Sequence, residues 1–141
     1  MKTVEAAVIG VGWVGGTRAE TLARTALVDK LHLFEIRPDR LAEVKTLYKP
    51  ATATLDYNDI IKNNNISVVY ISTTPETNHY PICRDCLKSG KNVMLEKPIA
   101  LELWEADELI ELAKRNKLKF TIGYSQRFNP KIAYAKKNVN Y

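Results

Sequence analysis

The sequence predicts an α/β fold in which one parallel sheet is doubly wound, with helices on both faces. Apolar runs rich in β-branched residues alternate with stretches of helical period, the pattern of repeated strand-helix-strand units. Runs such as residues 68–71 lack polar alternation, as expected for strands that are covered on both faces. The 141 residues, 45% hydrophobic and 26% charged, fit one globular domain and exclude disordered, collagen-like and coiled-coil classes.

Each element follows from a local pattern. Strands are expected where apolar and β-branched side chains cluster, at residues 3–9, 30–35, 51–54, 67–72, 92–95 and 119–123. Helices are expected at residues 13–26, 38–48, 57–63, 75–89 and 103–116, and a short lysine-rich helical segment near residues 132–137. Pro38 and Pro75 fit the first turn of a helix, and Gly90 fits the left-handed residue after a helix end. The predicted strand order is 3-2-1-4-5-6, with a ligand across the carboxyl ends of the strands where strands 1 and 4 meet.

The charge pattern argues against a nucleic-acid partner. The net charge is +5, and the cations are interleaved with acids through most of the chain. The densest patches, residues 114–119 and Lys131 with Lys136 and Lys137, have neither a row of aromatics nor a DNA-reading motif. We interpret these patches as solvated helix ends.

The sequence also predicts a cytoplasmic location and no membrane partner. No apolar run reaches the roughly 20 residues that span a bilayer. The first residues show no secretory signal pattern. Cys83 and Cys86 are too few for a disulfide scaffold and fit a reducing compartment.

A glycine-rich loop follows the first predicted strand. Gly10, Gly12 and Gly15 form the pattern G-x-G-x-x-G between a strand and a helix, which suits a pyrophosphate at the helix N-terminus. Glu35 ends the second strand 20 residues after Gly15, where an acid accepts hydrogen bonds from an adenosine ribose. An acid there repels a 2′-phosphate, so NAD is expected in preference to NADP, and Arg37 softens that preference. Trp13 and Val14 complete the candidate loop.

These two features by themselves leave the cofactor open. A methyltransferase also uses a glycine loop and an acid after its second strand. The plainest alternative is a glycine turn followed by a surface acid and base at a helix start.

Three downstream motifs narrow the choice. The sequence reads T-T-P-E-T-N-H over residues 73–79, G-K-N-V-M-L-E-K-P-I-A over residues 90–100 and G-Y-S-Q-R-F-N-P over residues 123–130. With the glycine loop, this series closely resembles the N-terminal domain of the glucose-fructose oxidoreductase, inositol dehydrogenase and MocA (Gfo/Idh/MocA) family. The most specific part is Glu96-Lys97-Pro98 after the G-K-x-V strand.

The resemblance implies an NAD(P)-dependent dehydrogenase or reductase acting on a sugar, a cyclitol or a similar small polar molecule. It implies a nucleotide-binding domain, of the Rossmann type, followed by a larger α/β domain with most of the substrate pocket and the oligomer contacts. Lys97 is the implied catalytic residue, near nicotinamide and substrate, where an ammonium favours negative charge on the reacting oxygen. The remaining implied residues hold the lysine loop or line the cofactor cleft: Glu96, Thr73, Thr74, Pro75 and His79. A solvated loop lysine is the alternative for Lys97.

The chain departs from the family pattern in two residues and in length. Arg18 stands where the family often has histidine, and Glu76 where asparagine is common. The family's second domain, with its usual catalytic Asp and His, is absent, so we expect a nucleotide-binding domain over residues 1–124 and the start of a connection over residues 125–141. Either the chain is a piece of a longer enzyme or it is a truncated member that no longer catalyses alone, a nucleotide-binding or interaction module. If this piece is isolated, self-association or poor solubility is expected, because the surface that meets the second domain is then exposed.

Three other features have simpler explanations than a second site. His79, Cys83 and Cys86 fall on one helix face, but zinc needs a further ligand or a water position, so buried packing is expected and no metal site is predicted. Redox cysteine pairs usually sit at a helix N-terminus, unlike these two. Trp104 is expected in the core or at a domain interface. Trp13 either covers the pyrophosphate site or turns away to solvent.

Overall fold

The computed structural model describes residues 3–139 and contains one parallel sheet. Its six strands are β1 (Val4–Ile9), β2 (Val28–Phe34), β3 (Thr52–Thr54), β4 (Ile66–Ile71), β5 (Asn92–Leu95) and β6 (Phe120–Ile122). The order β3-β2-β1-β4-β5-β6 confirms the predicted topology, and every neighbouring pair is parallel. β1 therefore lies between β2 and β4, where the order reverses and the carboxyl ends open a crevice.

Helices cover both faces of the sheet, as predicted. They are α1 (Trp13–Arg24), α2 (Pro38–Tyr48), α3 (Asn58–Lys62), α4 (His79–Lys88), α5 (Leu103–Arg115) and α6 (Pro130–Asn138). One core cluster joins the sheet to α1 and α2, and a second joins it to α3, α4 and α5. No helix within residues 3–139 is long and apolar enough to cross a membrane.

The central strands divide their side chains between the two clusters. Val8 and Tyr70 face the cluster under α1 and α2, and their neighbours Ile9 and Ile71 face the other cluster. Alternation with a period of two puts successive side chains on opposite faces. Because both faces are covered, the buried positions of these strands are apolar on either face, which explains the continuous apolar runs in the sequence.

The helix α4 ends at the glycine that the sequence predicts, but it does not begin at the predicted proline. Gly90 has a φ of +79°, its amide donates to the Leu87 carbonyl, and the Lys91 amide donates to the Cys86 carbonyl, which is a Schellman motif. The predicted start at Pro75 is wrong. Pro75 is extended and is followed by a 3₁₀ turn over Glu76–Asn78, so α4 begins at His79.

The last described helix stands apart from the core. α6 buries none of its side chains, and it follows a 3₁₀ turn at Ser125–Phe128. Pro130 occupies its first turn, and the Asn129 side chain accepts a hydrogen bond from the Lys131 amide at 3.0 Å. The predicted connecting segment thus continues as helix, and its residues 140 and 141 lie outside the described part of the chain.

Candidate functional site

The loop between β1 and α1 is shaped by close contacts at two glycines. Gly10 has a φ of +85°, and a Cβ there would lie 2.5 Å from the Ser72 carbonyl oxygen. A Cβ on Gly15 would lie 1.8 Å from the Gly10 carbonyl oxygen. Nothing among the described atoms lies within 4 Å of a Cβ built on Gly12. The loop therefore packs tightly against β4 and α1 and leaves open space beside Gly12.

The N-terminus of α1 faces this open space. Gly12 is the N-cap, and no side chain among residues 3–139 caps the first turn. Amides of a first helical turn have no partner within the helix, and they carry the positive end of its dipole, so they suit an anion. Trp13 is 89% exposed, and it touches the rim of the cavity while turning away to solvent.

Arg40 holds the same loop from α2, a contact that the sequence analysis missed. Its Nε donates to the Val11 carbonyl at 2.8 Å, and its Nη2 donates to the Gly12 carbonyl at 3.3 Å. Its Nη1 pairs with Glu43 at 2.6 Å. The sequence signal was an arginine in the first turn of the helix that follows the acidic residue.

Glu35 lies under the loop and is 6% exposed. Its Oε2 accepts from the Val11 amide at 3.0 Å, and its Oε1 accepts from the amide and the Nε of Arg37, both at 3.3 Å. A carboxylate offers about four lone-pair positions, so these three bonds leave room for another donor. The carboxylate is fixed in place and still able to accept a hydroxyl. Contact with a ribose stays a prediction.

A cavity of about 690 Å³ opens at the carboxyl ends of β1, β2 and β4. It brings together the glycine loop, the end of β2 and the loop after β4. Eight of the predicted cofactor residues line it, and Val14, Gly15, His79, Glu96 and Lys97 do not. The lining residues are Gly10, Gly12, Trp13, Phe34, Glu35, Ile36, Arg37, Tyr57, Ser72, Thr73, Thr74, Pro75, Asn78 and Ile82.

One end of this cavity is apolar, which the sequence analysis also missed. The rings of Phe34 and Tyr57 meet edge to face with centroids 6.0 Å apart, beside Ile36 and Ile82. The Tyr57 hydroxyl donates to Asp85 at 3.1 Å, and burial together with that bond raises the pKa of Tyr57. Tyr57 therefore presents a neutral ring, suited to a flat aromatic group. The side chains come from separate elements, so no local spacing marks them.

His79 lies behind the cavity wall and is 2% exposed. Its Nδ1 lies 2.8 Å from the Pro98 carbonyl oxygen, and its Nε2 lies 3.1 Å from the Thr73 carbonyl oxygen. The ring thus ties the loop after β4 to the loop after β5. It serves here as a positioning residue, whereas the resemblance implied a place beside the cofactor. Thr73 Oγ1 is buried and has no hydrogen-bond partner within residues 3–139.

Glu96 is held by side chains from two other elements. The Tyr70 hydroxyl donates to its Oε1, and the Arg18 guanidinium lies 3.9 Å from the same oxygen. Arg18 Nε donates to the Tyr70 oxygen at 3.2 Å, and burial, followed by the bond to Glu96, raises the pKa of Tyr70 to about 12. Glu96 Oε2 accepts from the Lys97 amide at 3.2 Å. A Cβ on Gly123 would lie 3.0 Å from Glu96 Oε1, so a side chain there would press on this carboxylate.

Lys97 is exposed and belongs to a different cavity from the glycine loop. That cavity, of about 450 Å³, is lined by Lys97, Gly123, Tyr124, Ser125, Gln126 and Arg127. The backbone after Lys97 joins the first cavity through Pro98, His79 and Thr73. The loop that carries Lys97 and the loop after β4, which lines the first cavity, are therefore linked through His79.

The helix α4 carries no second site. Cys83 and Cys86 are free and fully buried against the sheet, and burial raises the pKa of both thiols, so neither has the thiolate character of a redox or metal-binding cysteine. No group of three His, Cys, Asp or Glu side chains in the described part of the chain is placed to hold a metal. Trp104 packs edge to face on Tyr80, with centroids 5.2 Å apart, and remains largely exposed.

Residues 4–124 match the family model of Gfo/Idh/MocA, an oxidoreductase family with an NAD-binding Rossmann fold. The chain belongs to the Gfo/Idh/MocA oxidoreductase family. This confirms the family that the downstream motifs indicated, and it excludes the methyltransferase alternative.

Similar family members include enzymes of inositol and of a nucleotide sugar. The chain is 30% identical over 135 residues to a myo-inositol 2-dehydrogenase of Thermotoga maritima, covering 94% of this chain and 39% of the relative. It is 30% identical over 131 residues to a UDP-N-acetylglucosamine 3-dehydrogenase of Acidithiobacillus ferrooxidans, covering 90% of this chain and 39% of the relative. The crystal structure of scyllo-inositol dehydrogenase from Lactobacillus casei with bound NAD(H) and scyllo-inositol superposes with a TM-score of 0.87 at 25% identity, covering 96% of this chain and 40% of the other.

The chain thus spans about two fifths of the length of these Gfo/Idh/MocA relatives. At the position where the family often has histidine, Arg18 reaches Glu96 and Tyr70.

Proposed function

We propose that this chain is the cofactor-binding portion of an oxidoreductase that moves a hydride between NAD(H) and a small polar molecule such as a sugar or a cyclitol. The observation that carries the proposal is the cavity of about 690 Å³, which lies where β1 and β4 meet and is lined by the glycine loop and Glu35. The NAD(H) and scyllo-inositol bound to the Lactobacillus casei enzyme support it.

The residues around the cavity fit a dinucleotide. The open space at Gly12 and the first amides of α1 suit a pyrophosphate. Glu35 retains acceptor capacity for a ribose hydroxyl, and the buried Thr73 hydroxyl lacks a partner among the described residues. The apolar end at Phe34, Ile36 and Tyr57 suits an adenine ring.

The preference for NAD(H) over NADP(H) rests on charge. A phosphate on the ribose would lie against the buried Glu35 carboxylate, and like charges repel. Arg37 offsets part of that repulsion because its guanidinium is 3.3 Å from Glu35 and exposed. NADP(H) is therefore expected to bind more weakly than NAD(H).

In the reaction, the nicotinamide supplies or accepts the hydride when the cofactor is bound. Lys97 donates a hydrogen bond to the reacting oxygen and stabilises negative charge there. Glu96 fixes the backbone amide of Lys97, and His79 fixes the loop that follows it. The proposal assigns the proton-transferring residues to a second domain. Within this chain, it assigns residues up to 124 to the nucleotide-binding domain and residues from 125 onward to the start of the connection.

A nucleotide-binding module without turnover is the second candidate. Lys97 and the glycine loop line different cavities in this chain, so binding does not require the lysine. Both candidates bind NAD(H). Hydride transfer to a substrate by a chain that includes the second domain separates them.

The first experiment is a titration of this chain with NADH and with NADPH, following nucleotide fluorescence and energy transfer from tryptophan. We expect NADH to bind more tightly, and Glu35→Ala to weaken NADH by about tenfold because a hydrogen bond to a charged group is lost. The matched control is Glu111→Ala, an exposed acid on α5 paired with Lys114. If both nucleotides bind with equal affinity and Glu35→Ala does not change that affinity, the assignment of Glu35 is wrong. If neither nucleotide binds, the proposed cofactor site is wrong.

The proposal also includes a cytoplasmic location and self-association of the chain. A reducing, cytoplasmic compartment is supported by the two free, buried thiols. Self-association is supported by exposed apolar side chains such as Phe128, Ile132 and Tyr134.

A further inference from the structure

The cavity beside Lys97 continues into a second hollow along α6. The second hollow, of about 630 Å³, is lined in part by Gln126, Arg127, Lys136 and Lys137. Because Gln126 and Arg127 line both hollows, the two adjoin. We call the surface formed by Lys97, Arg127, Lys136 and Lys137 the cationic groove.

The cationic groove contains no compensating acid. Neither hollow has an Asp or Glu in its lining, and within residues 3–139 none of its four cations has a carboxylate within 4.0 Å. The nearest acid in sequence, Glu96, is engaged by Tyr70, Arg18 and the Lys97 amide. Several other surface cations do have a carboxylate partner, such as Lys30 with Glu5 at 2.8 Å and Arg40 with Glu43 at 2.6 Å.

The sequence makes the same asymmetry visible along the chain. Residues 112–141 contain eight Lys and Arg and no Asp or Glu, whereas the other residues together carry a net negative charge. On the other helices, acids and cations are interleaved. Solvated helix ends therefore do not by themselves explain a segment that has eight cations and no acid. Three of these eight cations, Arg127, Lys136 and Lys137, line the two hollows beside Lys97.

We propose that the cationic groove binds an anionic group of the substrate, a phosphate or a carboxylate, and so places the reacting carbon at Lys97. The proposal rests on the proposed function and narrows its substrate class to charged sugars or similar small polar acids. Guanidinium groups bind phosphate and carboxylate oxygens through two parallel hydrogen bonds, and ammonium groups add point charges. A neutral cyclitol would leave all four cations without a partner. The phosphates of the cofactor are assigned to the other cavity, at the glycine loop, and do not supply this anion.

The test compares three ligands with the same six-carbon skeleton on the full chain with NADH present: glucose, gluconate and glucose 6-phosphate. Amide spectra of the ¹⁵N-labelled protein report where each ligand binds. We expect glucose 6-phosphate, gluconate or both to shift residues 124–137 and to bind at least about tenfold more tightly than glucose, with binding that weakens as salt is added. The stronger of the two identifies the anionic group as phosphate or carboxylate.

Matched variants assign the effect to the groove. Arg127→Gln is expected to weaken binding of the charged sugar by about tenfold. The control Lys45→Gln removes an exposed lysine of α2, far along the sheet order from β6, and should change nothing. Both sites are exposed, so both variants are expected to fold, and circular dichroism checks this.

Several outcomes would overturn the proposal. They are equal binding of glucose and the charged sugars, equal effects of the two variants, and binding of glucose 6-phosphate no tighter than that of inorganic phosphate. Failure of the proposed function gives a different result, because it is detected by the NADH titration without any sugar: NADH then does not bind. NADH binding without selection of a charged sugar removes this inference and leaves the cofactor site intact.

Discussion

Lys91, in the G-K-x-V motif, is a charged residue that the fold buries almost completely. It is 1% exposed, and its Nζ donates to the Asn63 carbonyl at 2.8 Å and the Ile66 carbonyl at 3.1 Å. Burial lowers the pKa of Lys91 because the charged form loses its hydration, and the Cys86 thiol nearby partly opposes that shift. The lysine joins the loop before β4 to the loop before β5.

Replacing Lys91 by methionine is expected to destabilise the protein by about 1–3 kcal/mol at neutral pH, because two buried carbonyls lose their donor. The unfolded chain binds the proton more tightly than the folded one, so wild-type stability rises with pH below the ordinary lysine value of about 10.4. The variant lacks that rise, and its deficit should therefore grow between about pH 7 and pH 10. Urea unfolding at the two pH values measures it.

The matched control is Lys88→Met, which replaces an exposed lysine in the last turn of α4, three residues before Lys91. A deficit for Lys91→Met that stayed constant over this pH range would contradict the burial of its charge.

Among the site residues, some could be predicted from the sequence and others could not. Gly10, Gly15 and Glu35 carry a local pattern, and the structure accounts for each by a close contact or a hydrogen bond to the loop. Tyr57 carries none, and Arg40 has only its place in the first turn of α2, because each becomes relevant only when α2 or the segment before α3 packs near the end of β2.

At the scale of elements, Arg18, Tyr70 and Glu96 connect α1, β4 and the loop after β5. Arg18 lies one turn beyond Gly15, and its guanidinium sits 5.6 Å from the centre of the Tyr70 ring. The helix that faces the pyrophosphate position is thereby linked to the backbone of Lys97.

Tyr70→Phe is expected to cost about 1–3 kcal/mol of unfolding free energy, because Glu96 loses a donor in a partly buried site. The pKa of Tyr70 is raised to about 12 in the fold, so this contribution is fully present below the ordinary value of about 10 and is lost as the pH rises through 12. Faster hydrogen exchange at the Lys97 amide should accompany the loss, since that amide donates to Glu96.

Tyr134→Phe is the control for this element, because Tyr134 lies exposed on α6. Unchanged exchange at Lys97 in Tyr70→Phe would show that Glu96 holds its position without the tyrosine.

At the scale of the whole molecule, the fold divides into a packed domain and a projecting end. The two core clusters contain no residue beyond Ile122, and α6 buries none of its side chains. The apolar side chains of this end remain exposed at Phe128, Ile132, Tyr134 and Val139. This distribution supports the proposed boundary after residue 124.

A chain that ends at Tyr124 is expected to melt within about 4 °C of the full chain, because little buried area is lost. It should retain NADH binding, since every residue of the 690 Å³ cavity precedes the cut. Calorimetry and the fluorescence titration test both points. The reference variant is Leu109→Ala, which opens a core position and should cost about 2–5 kcal/mol. Melting of the shortened chain as low as that of the reference would place α6 inside the domain.

The sequence by itself determined the α/β class, the strand order, the glycine loop and the family, because each of these depends on the period of apolar residues or on short motifs with fixed spacing. Only the tertiary structure decided which side chains share a cavity. It placed His79 behind the cavity wall, assigned Lys97 and the glycine loop to separate cavities, and brought Arg127, Lys136 and Lys137 to the hollows beside Lys97. Parallel strands bring the ends of distant segments to one edge of the sheet, so contacts there depend on packing, which local sequence does not encode.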